Sequence, residues 1–345
     1  MENEESEMVL EEEVDCRECE DGQAVGKYFG GSEVQRKSGE EDGRSVKKLT
    51  DPRLPTKKEV EDHELTHLPY RNWCAVCVMA KGKDLDHRAC VKEERSLNEY
   101  AFDYCFPGDE FGYKITVLAG RERNSGMLMA TTVPTKGSSG KFAVEKAMDY
   151  LEECGDGSSG VVITKSDQEP AIKYFMKDLR EARGEKDAKT IPEESQVKSS
   201  QSNGVIERGV QAVEGQMRAL LLALGRRLKI KVHAEEKVVM FMAEYAAYLV
   251  NRLETGKDGK TAYERIKGKR ATVLGIEFGE KLLYKVKAGS KMEKLNPRWE
   301  YGIFVGVKRK SGEVWIAKEN GIVAARSVRR IPEEERWTMT TLCSR

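Results

Sequence analysis

The 345-residue chain is too long for one ordinary core, so about two or three domains are expected. Charged residues make up 34% of it, no apolar run approaches the roughly 18 residues that cross a bilayer, and the acidic start is not that of a signal peptide. This composition points to a soluble, intracellular protein without a membrane partner. The net charge of +0 hides an asymmetry: residues 1–50 hold 15 Asp/Glu against 7 Lys/Arg, while residues 208–345 hold 29 Lys/Arg against 16 Asp/Glu. A basic back half suits a polyanion.

Residues 1–55 carry Glu runs and glycines with little apolar periodicity, as a disordered acidic linker does. Cys16 and Cys19 have nothing nearby to complete a metal site. Residues 56–92 read differently. His63 and His67 are four apart, so one helix face presents both imidazoles, and Cys74-Ala75-Val76-Cys77 offers two thiolates at a spacing zinc prefers. In a chain with 4 histidines, two of them just before a C-x-x-C point to a structural zinc site. A rival ligand set is Cys74, Cys77, His87 and Cys90. His233 stands apart and reads as a helix-flank residue.

Residues 95–255 alternate strand and helix patterns. Asn98 to Phe106, Tyr113 to Ala119 and Gly126 to Val133 form three strands, Phe142 to Glu153 a helix, and Gly160 to Thr164 a buried strand. Ala171 to Ala182 is a second helix, Lys189 to Ile191 a short strand, and Glu193 to Gly204 a polar loop closed by the turn dipeptide Asn203-Gly204. Apolar residues at helical spacing then run from Val205 to Leu228, with Glu207 in the first turn, and a further helix covers Ala234 to Leu253. This order describes a mixed α/β sheet with helices on its faces. Residues 256–280 form a basic linker. Residues 281–337 are short strands and turns that make a small β-barrel, with Lys308, Arg309 and Lys310 in one basic turn.

Three acidic residues occupy telling places: Asp103 within a strand, Asp167 at the C-terminal end of another, and Glu207 at a helix start. Open α/β sheets carry their chemistry at strand C-termini, and hard Mg²⁺ prefers carboxylate oxygen. Such a triad can hold a pair of divalent ions for phosphodiester transfer. Lys165, Lys198 and Arg208 lie close by in sequence and are candidates for phosphate contacts.

The combination resembles the retroelement integrases, and is most similar to the copia-type (Pseudoviridae) retrotransposon branch. Asn203-Gly204-Val205-Ile206-Glu207-Arg208 matches the N-G-x-x-E-R signature, the 39 residues between Asp167 and Glu207 are close to the usual interval, and Leu295-Asn296-Pro297-Arg298-Trp299 looks like the entry to the terminal barrel. The chain departs from the pattern at Lys165-Ser166-Asp167-Gln168-Glu169, where the family shows T-D-N-G. It departs again in the 6 residues between His67 and Cys74, a shorter gap than usual. The resemblance implies a ribonuclease-H-like five-stranded sheet, preceded by the zinc module and followed by an SH3-like barrel. It also implies two Mg²⁺ (or Mn²⁺) ions on Asp103, Asp167 and Glu207, structural Zn²⁺, DNA as partner, a homo-oligomer, and nuclear work. The implied activity is trimming of element DNA ends and joining of their 3′-hydroxyls to target DNA. A ribonuclease-H-like nuclease and an inactive, DNA-binding remnant are the alternatives.

Overall fold

The computed structural model describes residues 54–82, 97–137, 141–194, 200–287 and 295–337. Cys16, Cys19, His87, Cys90 and Lys198 lie outside them. Among the described residues no helix is long and apolar enough to cross a membrane.

Two short helices, α1 (Lys57–Glu64) and α2 (Ala75–Lys81), come first. Thr56 and Glu59 close a capping box on α1, each satisfying a backbone N–H that the helix start would leave open. The central sheet follows, built from β1 (Glu99–Cys105), β2 (Thr116–Glu122), β3 (Leu128–Val133), β4 (Val161–Ser166) and β5 (Lys189–Glu194) in the order β3-β2-β1-β4-β5. β1, β2 and β3 are antiparallel, whereas β4 and β5 run parallel to β1 through helical crossovers α3 (Phe142–Cys154) and α4 (Pro170–Gly184). This is the ribonuclease-H-like arrangement, a mixed five-stranded sheet with flanking helices.

β1 lies at the centre of that sheet and is covered on both faces. Tyr100, Phe102 and Tyr104 join the core under α3 and α4, while Ala101 and Cys105 face the other way. A strand buried on both sides reads as a continuous run of buried positions. In β1 the one break in that run is Asp103.

The second face carries α5 (Ser200–Leu228) and α6 (Val239–Leu253). Sequence reading places a turn at Asn203-Gly204 and starts the helix at Val205, but the helix begins at Ser200 and runs straight through the dipeptide. The helix continues through a dipeptide that locally favours a turn, and Glu207 stands in the second turn rather than the first. Gly209 lets α5 approach the sheet: a Cβ there would meet the Leu128 side chain at 3.0 Å and Arg121 at 3.2 Å.

The segment 256–280, read as a linker, holds α7 (Ala262–Lys267) and the buried Ile276 and Phe278. A second sheet follows, from β6 (Lys281–Lys285), β7 (Trp299–Val307), β8 (Val314–Lys318), β9 (Gly321–Ala325) and β10 (Val328–Arg330), antiparallel throughout in the order β10-β6-β7-β8-β9. It fits the small β domain expected at this end. Its apolar face shares one core with α5 and α6, where Tyr245 of α6 meets Phe304 edge-on at 5.2 Å and Phe278 in a stack at 5.7 Å.

Candidate active site and metal centre

Parallel pairing sets two of the predicted carboxylates side by side. Tyr100 pairs with Thr164 and Ala101 with Lys165, an offset of 64 positions that carries Asp103 to Asp167 just past the last rung. On the antiparallel side Asp103 faces Ala119. Ile206 of α5 is buried against Ala101 and Ala119, so the residue after it, Glu207, enters beside the same strand. Glu207 is exposed.

Asp103 is half-buried and its Oδ1 accepts the N–H of Tyr104 at 2.7 Å. Burial pushes its pKa up to about 6, and the negative charges of Asp167 and Glu169 push the same way, while the Tyr104 N–H and Lys136 oppose them. Asp167 and Glu169 thus lie near enough to act on the charge of Asp103, while Asp103, Asp167 and Glu207 are not drawn together as a closed ligand group among the described residues. Glu169 and Lys136 were not singled out by sequence. Glu169 sits two positions after Asp167, where the resembling motif has glycine, and the sequence holds no signal for Lys136.

The His/Cys module draws its four predicted ligands together. Nε2 of His63 lies 3.2 Å from Sγ of Cys77, and Nδ1 of His67 lies 3.5 Å from Sγ of Cys74. All four ligand atoms fall within 4.8 Å of one another, and all four residues are buried. Tetrahedral zinc, with bonds of roughly 2.0–2.3 Å, separates a nitrogen from a sulfur ligand by about 3.5 Å. The donor set therefore fits Zn²⁺. Among the described residues this is the one group of three or more His, Cys, Asp or Glu side chains drawn so close.

Helix α1 ends at Glu64, so the two imidazoles do not share a helix face as the four-residue spacing suggests; His67 lies three residues beyond the helix in the left-handed region (φ 53°), in the short connection to α2. Burial holds both imidazoles at a pKa of about 4, with Arg71 and Lys81 adding to the effect at His63, and His63 and Lys81 at His67. Both rings are thus neutral and keep the lone pairs that bind metal. Burial pushes the Cys77 thiol up to about 11, a cost that a bound cation would offset by stabilising the thiolate. The module is fastened to α5: Gln216 Nε2 donates to Thr66 O at 2.7 Å, Arg218 Nε donates to Ala80 O at 3.1 Å, and Ala219 packs on Cys74 and Cys77. The helix that carries Glu207 is therefore braced by the metal module.

The predicted phosphate contacts fare differently. Lys165 is buried and pairs with Glu193 across the sheet at 3.6 Å, which takes it away from solvent and from an exposed DNA backbone. Arg208 is exposed, with Nε donating to Gly204 O at 2.9 Å along its own helix. Lys308 pairs with Glu313 at 3.9 Å, and Arg309 reaches Glu153 at 3.4 Å. Lys310 meets Asp149 at 2.7 Å and Glu152 at 2.9 Å, which hold its pKa up. Sequence reading turns Lys308, Arg309 and Lys310 toward DNA. In the structure Arg309 and Lys310 pair with α3, which presents Asp149 and, one turn further on, Glu152 and Glu153. They border a cleft of about 540 Å³ that Arg252, Tyr263 and Trp315 also line.

No family model and no curated protein matches this chain. Solved structures similar to it include the HTLV-2 integrase catalytic core domain in complex with magnesium, in a trimeric form (14% identity, 49% of this chain and 94% of that one, TM-score 0.36). The dimeric form of the same domain also matches (14% identity, 48% and 92%, TM-score 0.34). So does a chain of the simian T-cell lymphotropic virus intasome in complex with the PP2A regulatory subunit B56 gamma (14% identity, 79% and 88%, TM-score 0.38).

Proposed function

We propose that the chain is an integrase-like polynucleotidyl transferase of the copia-type retrotransposon class, cutting near element DNA ends and joining their 3′-hydroxyls to target DNA. The observation that carries this reading is the β1–β4 register that sets Asp103 beside Asp167 at a strand end, with the helix bearing Glu207 laid against the same strand. In this reading Asp103, Asp167 and Glu207 hold the divalent cations, Mg²⁺ or Mn²⁺. Those ions, when bound, supply the charge that activates a hydroxyl and relieves a leaving oxygen. The chain contributes oxygen donors from two rigid strands and one braced helix, so that little reorganisation is left for the reaction itself.

His63, His67, Cys74 and Cys77 hold structural zinc. Exposed Arg208 and Lys308 contact the DNA backbone. Joining two DNA ends in concert calls for more than one copy of the chain, and the work is nuclear.

The test is a strand-transfer assay with a labelled element-end duplex, a plasmid target and Mg²⁺ or Mn²⁺, run beside Glu207→Gln. Joined products that disappear in the variant support the reading. Cleavage without joining selects the hydrolytic nuclease, and DNA binding without reaction in either protein selects the inactive remnant.

A further inference from the structure

The turn after β3 places a cation at the mouth of the carboxylate site. Lys136 pairs with the Glu169 carboxylate, and its ammonium sits 4.5 Å from the centroid of the Phe106 ring. Glu169 is tied to the site through its own backbone, whose N–H donates to Asp167 Oδ1 at 3.1 Å. The turn is tied to β1, since the Gly137 N–H donates to the Tyr104 hydroxyl at 3.1 Å. The lysine thus has two contacts of its own, to Glu169 and to the Phe106 ring, while the next residue, Gly137, fastens the turn to β1. It is also open to solvent: Lys136 and Glu169 are 33% and 34% exposed.

We propose that Lys136 is the resident counter-cation of the carboxylate site, leaving Glu169 when a divalent cation enters and then holding the phosphate on which the site acts. This rests on the carboxylate reading above. Lys136 neutralises part of a cluster made by Asp103, Asp167 and Glu169, so a divalent ion and the ammonium compete for the same negative field. A DNA phosphate arriving with the ion reverses the sign of what faces the turn. The lysine is a compact charge on a flexible four-carbon stem and can follow it. The Phe106 ring gives it a fixed station meanwhile, since a ring face attracts an ammonium.

The experiment is Mn²⁺ binding to the zinc-loaded full chain, followed by the loss of the free-Mn²⁺ electron paramagnetic resonance signal. Asp103→Asn is the control that defines the site. Lys136→Gln is expected to tighten Mn²⁺ binding about fivefold, the equivalent of one exposed ion pair removed from competition. It should weaken binding of a DNA duplex in the presence of Mn²⁺ by a similar factor, with Lys136→Arg restoring both values. A merely structural lysine would leave Mn²⁺ affinity unchanged or lower it. Mn²⁺ binding that depends on Asp103 but is not tightened by Lys136→Gln overturns the role of Lys136 alone. Mn²⁺ binding indifferent to Asp103→Asn overturns the carboxylate site and the proposal with it. Lys136→Met keeps the stem over Phe106 and replaces the Gln variant where folding is impaired.

Discussion

Arg309 and Glu153 approach to 3.4 Å across the seam between the terminal sheet and α3, and Arg252 of α6 reaches the same carboxylate at 3.4 Å. One carboxylate thus serves two guanidinium groups, in a place where all three side chains are largely withdrawn from water. Glu153→Gln leaves both cations without a counter-charge and is expected to cost about 2 kcal/mol in urea unfolding. The neighbouring pairs of Lys310 are exposed, and their removal should leave stability unchanged. Replacing Asp149 and Glu152 together by lysine releases Lys310 and adds positive charge, so affinity for a DNA duplex at low salt should rise and the gain should vanish at high salt. A filter-binding salt titration reads both.

Zinc removal should be felt at a distance, because the module braces α5. Treating the protein with a chelator, or replacing Cys77 by Ser, is expected to lower Tm by at least about 5 °C. Acid should act similarly. His63 and His67 have folded pKa values of about 4, below their ordinary 6.5, so the unfolded chain binds protons more readily. Their contribution is complete above pH 6.5 and is lost as pH falls toward 4. Zinc content after dialysis at pH 7.5 and pH 4.5, measured by mass spectrometry alongside Tm, checks this.

Asp103 behaves in the opposite sense. Its folded pKa of about 6 lies above the ordinary 3.8, so the folded chain holds the proton more tightly. The contribution to stability is present below pH 3.8 and is lost as pH rises through about 6. In buffer free of Mg²⁺ and Mn²⁺, Asp103→Asn should therefore stabilise the protein at pH 8, by at most about 3 kcal/mol, and by less at pH 5. Denaturant melts at the two pH values measure the difference.

Gly209→Val tests the close approach of α5. The new side chain would press on Leu128 and Arg121, which already lie at 3.0 and 3.2 Å from a Cβ there. Overpacking of this kind costs about 1–3 kcal/mol. Because the same stretch of helix positions Glu207, strand transfer should fall more steeply than stability at temperatures where the variant is folded.

Much of this arrangement is legible in the sequence. The strand and helix order follows from the strand-forming run around Tyr100-Ala101-Phe102 and from the 3.6-residue spacing behind Val205. The His/Cys cluster is readable because two imidazoles four apart and a C-x-x-C are both local patterns. What escapes is whatever the local pattern does not decide. Asn203-Gly204 joins a helix although its own preference is for a turn. The pairing of Lys310 with Asp149 and Glu152 joins positions some 160 residues apart, and no local pattern at Lys308-Arg309-Lys310 separates a DNA-facing cation from one held by a neighbouring helix. Lys136 is invisible for the same reason, since only the fold brings it to Glu169.

The aromatic cluster of Tyr245, Phe278 and Phe304 has a consequence for how such a chain can be divided or recombined. These rings belong to α6, the segment after α7 and the terminal sheet, yet they fill one interior. A cut near residue 275 would strip α6 of its cover and leave an oily surface on the shortened piece. A graft of a foreign terminal sheet would fail unless α6 travelled with it. The unit that can be exchanged between relatives is the pair.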